Sequence, residues 1–329
     1  RVLTTVHALA FSYLSYLLLP SEASEFDIIN CHNYPSNFAS LAPSCRRTPV
    51  LWHCNEPSLL LYAPQTPANI PTRTWNKILP NLYGTLGHPL RKLDILSARR
   101  MRDITVLSNL IKDRVKRIYL RDARVIRIGV DTHKFVPGLD GRKIRDQHKI
   151  NDRPCILTVT HLNNRVDLIL RALAHVRKTI DDVFFLIVGT GDDSGLQRAI
   201  RGYGLRDCVN VAKKVPDETL PFYYAACDVF LFPQPHWSWS IATIEAMACA
   251  KPVVVPDSSG LSEIIQNGRN GIAINILDSK QLCSCIIDLL KDENLRDHIG
   301  REARKYVENN LDRSRFFETY YDLMKSLCS

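Results

Sequence analysis

The sequence predicts an α/β protein built from two doubly wound parallel sheets, and three observations carry the prediction. The 329 residues exceed one ordinary core and suit two domains of about 100 to 200 residues each. The second half alternates short, β-branched, nearly continuous apolar runs with amphipathic stretches, the pattern of parallel strands buried on both faces and of the helices that cover them. The first half repeats that alternation less completely.

Taken in order, residues 6–20 (VHALAFSYLSYLLLP) invite comparison with a signal peptide or membrane anchor. Fifteen residues fall short of the roughly 20 that a span needs. Val6, Leu9, Ala10, Tyr13 and Leu17 share one helical face, so the segment reads as a buried helix. The chain opens with Arg, on this helix rather than on a strand, and a further amino-terminal piece is therefore expected. FDIINC (26–31), PVLWH (49–53), ITVLS (104–108) and ARVIRI (123–128) read as the strands of the first domain, 1–128. A stretch rich in Gly, Pro and charge, 129–153, reads as the linker.

In the second domain, 154–310, strands are expected at CILTVT (155–160), VFFLIVG (183–189), VFLFP (229–233) and PVVVP (252–256), with helices over 166–178, 217–226 and 241–250. From Ser279 the pattern is helical throughout, and 311–329 forms a closing helix. Ligands of open α/β sheets gather at the carboxyl ends of the strands, so residues at strand ends are the candidates for function. Two such sheets are expected to face each other across a cleft.

Composition narrows the class. With 45% hydrophobic and 23% charged residues, 14 Gly and 18 Pro, the chain is neither disordered, collagen-like nor a disulfide-dense secreted scaffold. Its ten cysteines are scattered, include no C-x-x-C, and mostly sit in apolar runs. Buried thiols in the reducing cytoplasm are expected, and structural zinc is not. Nearly all of the +9 net charge lies in 91–127, where twelve Lys and Arg meet four Asp. Such a stretch is a solvated helical face, or a surface for anionic lipid at the cytoplasmic side of a membrane or for a phosphorylated acceptor. The interleaved aromatic residues of a stacking platform are missing, which argues against nucleic acid.

The most informative segment is FPQPHWSWSIATIEAMA (232–248). A strand ends, a loop of small and aromatic residues follows, and a helix opens near Ile241, so that unpaired N–H groups face a phosphate or sugar oxygen. Glu245, one turn in, can accept hydrogen bonds from a sugar or ribose diol; by itself it also fits a solvent-exposed helix.

Here the sequence resembles a known family. IEAMACAKPVVVPDSSGLSEIIQNGRNGI is similar to the signature of glycosyltransferase family 4, the group 1 enzymes that retain anomeric configuration and share the GT-B fold: E-x7-E-A-M-A-x-G-x-P-V-V followed by G-x-x-E-x-V-x-x-G-x-x-G. VPDETLPFYYAACDVFLFP, VFFLIVGTGDD and VIRIGVDTHKFVP extend the likeness over 23–327. The resemblance implies a hexosyltransferase with a nucleotide-sugar donor on the second domain. A glycan or lipid-linked acceptor would sit on the first, with no cofactor and no metal. It also implies an amino-terminal strand and Gly-rich loop ahead of Val2.

Matched residue by residue, the resemblance makes Glu245 the ribose ligand. Ser238, Trp239, Ser240 and Ile241 become the loop whose backbone N–H groups reach the donor, Gly189 a nucleotide-side turn, and Glu263 a cap or ribose-side group. The first Glu of E-x7-E falls on Trp237, which accepts no hydrogen bond from a sugar hydroxyl. The family's G-R-L-x-x-x-K-R-x-D appears as THLNNRVD, two residues shorter, with His161 in place of the Arg and Arg165 the cation left nearby. A leaving diphosphate gathers negative charge, so this exchange weakens a principal catalytic device. A catalytically impaired sugar-nucleotide-binding protein is therefore the alternative. In the first domain PVLWHCNEP resembles the segment carrying the family's His near the anomeric carbon. The spacing puts Asn55 there, with His53 two residues earlier on the same side of an extended strand. His32, at the end of another strand, is a third candidate. Ser108 matches a family serine and equally an N-cap.

Overall fold

The structure, a computed structural model, describes residues 21–62, 75–162, 165–235 and 239–328. The helix expected over 6–20, the Asn163-Asn164 pair, Trp237 and Ser238 lie outside them. The chain divides into two compact units, 1–127 with 317–329, and 128–316.

The first unit carries β1 (Ile29–His32), β2 (Val50–His53), α1 (Leu59–Tyr62), α2 (Trp75–Arg100), β3 (Asp103–Val106), α3 (Asn109–Tyr119) and β4 (Arg124–Val125), with 3-10 turns at Ser21–Glu25, Ser36–Leu41 and Pro43–Cys45. Its four strands are parallel and lie in chain order. In α3, Ser108 caps the start by accepting from the Ile111 N–H, and Leu120, at φ 55°, ends the helix in the left-handed region. Ile111, Val115 and Tyr119, four residues apart, face the core. Tyr119 meets the fully buried Trp52 edge-on, centroids 5.5 Å apart. Its hydroxyl, with that of Tyr62 and the amide of Asn37, donates to the buried Asp94 carboxylate at 2.8, 2.8 and 2.6 Å. Burial pushes the Asp94 carboxyl up and these three donors pull it back.

The second unit runs α4 (Arg142–His148), β5 (Cys155–Val159), α5 (Val166–Val176), β6 (Phe184–Gly189), α6 (Ser194–Gly202), β7 (Val209–Lys213), α7 (Leu220–Ala226), β8 (Val229–Leu231), α8 (Ile241–Ala248), β9 (Val253–Pro256), a 3-10 turn (Gly260–Ile264), β10 (Ile272–Ile274), α9 (Ser279–Lys291) and α10 (Glu293–Asn310). The last helix, α11 (Arg313–Cys328), belongs to the first unit from residue 317 on. The six strands are parallel in the order β10-β9-β8-β5-β6-β7, the doubly wound order in which the chain builds outward from β5 and then returns to its other side. Leu157, Phe185, Ile187, Val229, Leu231 and Val254 are completely buried, as the continuous apolar runs require.

Three features differ from the sequence expectation. The stretch 129–153 holds α4 and packs into the second unit, where Arg145 pairs with Asp228 at 3.1 Å and Asp228 also accepts from the Cys155 N–H at 2.7 Å. The edge strands β7 and β10 are additional, and β4 is two residues long because only Thr105 and Val106 pair with it. The closing helix packs with the first unit rather than standing apart. All ten cysteines are free thiols, seven of them buried.

Candidate functional site

The switch point of the second sheet lies between β5 and β8, where successive connections leave in opposite directions and open a crevice at the strands' carboxyl ends. The loop after β5 brings His161 and Arg165 there, and the loop after β8 brings Trp239, Ser240 and α8. Gly189 ends the neighbouring β6 and Gly191 follows it, and Glu263 follows β9. All the described donor-side candidates thus come to one edge of one sheet.

Hydrogen bonds and close approach fix this edge. Thr160 N–H donates to Val188 O and Leu162 N–H to Thr190 O, each at 2.9 Å, zipping the two loops together. A Cβ at Gly189 would sit 1.9 Å from Thr160 O, and one at Gly191, φ +114°, would sit 2.6 Å from His161 Cε1. Both glycines are therefore dictated by packing, and the His161 ring lies against the Gly191 backbone. Arg165 precedes α5 and its Nε contacts Asp167 Oδ1 at 3.2 Å. Trp239 is buried and its indole N–H donates to Ile128 O at 3.0 Å. Ser240 is the N-cap of α8, its hydroxyl accepting from Thr243 N–H at 3.2 Å. These two side chains build the loop, and what they leave to a ligand is backbone. Ile241 is exposed in the first turn, and Glu263 is exposed on its 3-10 turn.

Glu245 is half-buried on α8, and its Oε2 accepts from the Tyr224 hydroxyl at 2.6 Å. Burial raises its pKa, the Tyr224 hydrogen bond opposes the rise, Asp217 adds to it and Lys134 subtracts. Tyr224 is itself wholly buried, edge-on to Phe135 at 5.8 Å, so the donor is rigid. Nothing in the sequence spacing singled out Tyr224.

In the first unit, β1 and β2 pair in register, so that His32 lies beside His53 at the carboxyl edge, ring centroids 5.4 Å apart. His32 is exposed and His53 is 2% exposed. His53 Nδ1 is 2.9 Å from Thr105 Oγ1 on β3. Burial, and then the neighbouring His32, bring the His53 pKa down to about 4, against a hydrogen bond with Asn55. β2 stops at His53, so Asn55 sits in the bend beyond it, its N–H 3.4 Å from Asn33 Oδ1, and strand alternation does not reach it. Tyr320 and Thr105, which contact His53, were not expected from the sequence. Among the described residues no three His, Cys, Asp or Glu gather as a metal site, and no helix is long and apolar enough to cross a membrane.

The sequence model of the family described as glycosyl transferases group 1 matches residues 140–306, just over half of the chain and the whole of the crevice described above. The chain belongs to this family. Among curated relatives, the GDP-mannose-dependent alpha-(1-6)-phosphatidylinositol monomannoside mannosyltransferase of Mycolicibacterium smegmatis is 31% identical over 193 residues, 55% of this chain and 50% of the relative. The alpha-D-kanosaminyltransferase of Streptomyces kanamyceticus is 25% identical over 164 residues, 49% of this chain and 42% of the relative. The chain spans about half the length of the curated relatives it matches. Two solved structures share the family's GT-B fold with it. Sucrose-phosphate synthase from Thermosynechococcus elongatus aligns with TM-score 0.78 at 18% identity, over 92% of this chain and 74% of the other. Anabaena HepE in complex with UDP-glucose aligns with TM-score 0.76 at 19% identity, over 92% and 80%.

Proposed function

We propose that the protein is a retaining, metal-independent hexosyltransferase that moves a sugar from a nucleotide-sugar donor to a glycan or lipid-linked acceptor. The observation that carries this reading is the gathering of Glu245, the α8 start, His161 and Arg165 at the switch point of the family-matched sheet. The Tyr224 hydroxyl is bound to Oε2 of Glu245, and Oε1 is the oxygen assigned to a ribose diol. The diphosphate lies at the N-terminus of α8, where helical N–H groups and the helix dipole favour negative charge. His161 and Arg165, from the loop after β5, are the side chains we assign to it.

In the transfer the bond from the anomeric carbon to the diphosphate oxygen breaks while one to the acceptor hydroxyl forms on the same face. The hydroxyl proton passes to the departing phosphate oxygen. His32 and His53 form the acceptor side, with His53 neutral at physiological pH and holding its orientation through Thr105. The basic stretch 91–127 suits an acceptor on an anionic membrane face of the cytoplasm. Of its four aspartates Asp94 is buried, and Asp103 and Asp122 pair with Arg124 and Lys112, so the cations dominate the surface.

The experiment is a donor-hydrolysis and transfer assay with GDP-mannose first, since a relative's name carries that donor, followed by UDP- and ADP-sugars. Release of nucleoside diphosphate that depends on Glu245 supports the reading. Binding of donor without cleavage supports the alternative, a catalytically impaired sugar-nucleotide-binding protein. One observation favours that alternative: the Arg165 guanidinium is shared with Asp167, which reduces the charge offered to a leaving diphosphate.

A further inference from the structure

The carboxyl edge of the first sheet is completed by a residue nearly 300 positions away in the chain. In-register pairing puts Asn30 beside Leu51, His32 beside His53, and His53 beside Thr105. Registered neighbours in a parallel sheet share a face, so Asn30, His32, His53 and Thr105 form one patch. Onto it α11 lowers Tyr320, which is 5% exposed although the helix around it is largely exposed. The Tyr320 ring stands edge-on to His53, centroids 5.8 Å apart at 81°, and lies 6.5 Å from His32. Its hydroxyl donates to Asn30 Oδ1 at 2.9 Å. One turn later Met324 Sδ lies 4.0 Å from Asn30 Nδ2.

A helix that needed only to cover apolar sheet surface would use Leu or Ile here. Instead α11 places a hydroxyl on an amide and a ring against two imidazoles. We infer that Tyr320 is a positioning residue of the acceptor side, clamping His32, His53 and Asn30 into one fixed constellation from the far end of the chain. The inference rests on the reading of His32 and His53 as the acceptor-side groups.

The clamp has an electrostatic consequence. The groups seen against His53 are Thr105 from β3, His32 from β1, Asn55 from the following bend and Tyr320 from α11. None of them offers a carboxylate to hold a proton on the ring, and Tyr320 covers it from water. Burial is the first cause of the depressed His53 pKa, so uncovering the ring returns it toward the ordinary value of about 6.5.

The test is a pH titration of the histidine side-chain NMR signals in the full chain, with His53 assigned through His53→Gln. Wild type, Tyr320→Phe and Tyr320→Ala are compared, and thermal melts verify that each is folded. The expected result is a His53 midpoint near 4 in wild type and in Tyr320→Phe, which keeps the ring, and a rise of at least one pH unit in Tyr320→Ala. An unchanged midpoint in a folded Tyr320→Ala overturns the proposal. Should Tyr320→Ala fail to fold, Tyr320→Val, too short to cover the ring, replaces it: a raised midpoint there supports the clamp and a wild-type midpoint overturns it. The titration needs no substrate, so failure of the transferase reading is seen separately, as wild type that cleaves no donor. Where wild type does transfer, Tyr320→Phe is expected to raise the acceptor KM several-fold through the freed Asn30 and leave the donor KM unchanged. Equal acceptor KM values for wild type and Tyr320→Phe overturn the role of the hydroxyl.

Discussion

The Tyr224 hydroxyl donates to Glu245 Oε2 across 2.6 Å, joining α7 to α8 through a phenol that solvent does not reach. A hydrogen bond to a charged acceptor contributes about 1.5–3 kcal/mol. Tyr224→Phe removes it and leaves the carboxylate under-satisfied. Denaturant melts at neutral pH are expected to show a loss of about 2 kcal/mol, and calorimetry a several-fold weaker donor affinity, because Glu245 loses its fixed orientation.

Glu245 itself trades stability for binding. Burial raises its folded-state pKa above the unfolded one, so its contribution is most favourable below the unfolded value and is lost as pH rises through the folded value. At pH 7 the charged form is therefore penalised. Glu245→Gln, still able to accept from Tyr224, is expected to melt at or above the wild-type temperature while losing most of its donor-induced stabilisation. A variant that melts well below wild type at pH 7 contradicts this account of the site.

His53 gives a pH dependence of the opposite slope. Its folded pKa, about 4, lies below the unfolded value of about 6.5, so the unfolded chain binds the proton first. The stability this group contributes is fully present above about 6.5 and is lost as pH falls toward 4, about 3 kcal/mol in all. His53→Gln, which keeps a partner for Thr105, is expected to flatten the fall in melting temperature over that window.

Much of the second sheet was legible because its central strands are buried on both faces and read as unbroken apolar runs, as in VFFLIVG and PVVVP. The edge strand β7 reads VNVAK, half polar because one side of it meets solvent, and it passed unseen. Helix α2 passed unseen because Pro80, Gly84, Gly87 and Pro89 fall inside it, residues that ordinarily interrupt a helical pattern. The same limit applies to the site. Glu245 stands in a motif and is legible, whereas its partner Tyr224 and the His53 partners Thr105 and Tyr320 are neighbours only in the folded chain. Loop residues were legible as positions but not as roles: Trp239 and Ser240 were expected at the donor, and their side chains bond to Ile128 O and to the Thr243 N–H.

Trp239→Phe separates the two roles. It removes the indole donor to Ile128 O and is expected to cost about 1 kcal/mol in stability. Donor selectivity across nucleotides should not change, since the indole N–H faces the loop's own scaffold. A switch in nucleotide preference, measured by competition binding, would contradict that assignment.

Gly189 makes a closer backbone approach than Gly191. With Thr160 O where its Cβ would go, Gly189→Ala forces backbone to move and is expected to lower stability by more than about 3 kcal/mol. Gly195→Ala, whose Cβ meets only the tip of Arg198 at 3.9 Å, is the control expected to melt like wild type.

The central claim is that a nucleotide-sugar binds at the switch point of the second sheet through Glu245. The most direct test is a thermal-shift panel of GDP-, UDP- and ADP-sugars on the protein and on Glu245→Ala. A donor at a hundred times its Kd stabilises by about 2.7 kcal/mol, enough to move Tm by a few degrees. The account predicts such a shift with one nucleotide class in the wild type and its loss in Glu245→Ala. A folded protein that no nucleotide-sugar stabilises, or that is stabilised equally with and without the Glu245 carboxylate, would contradict it.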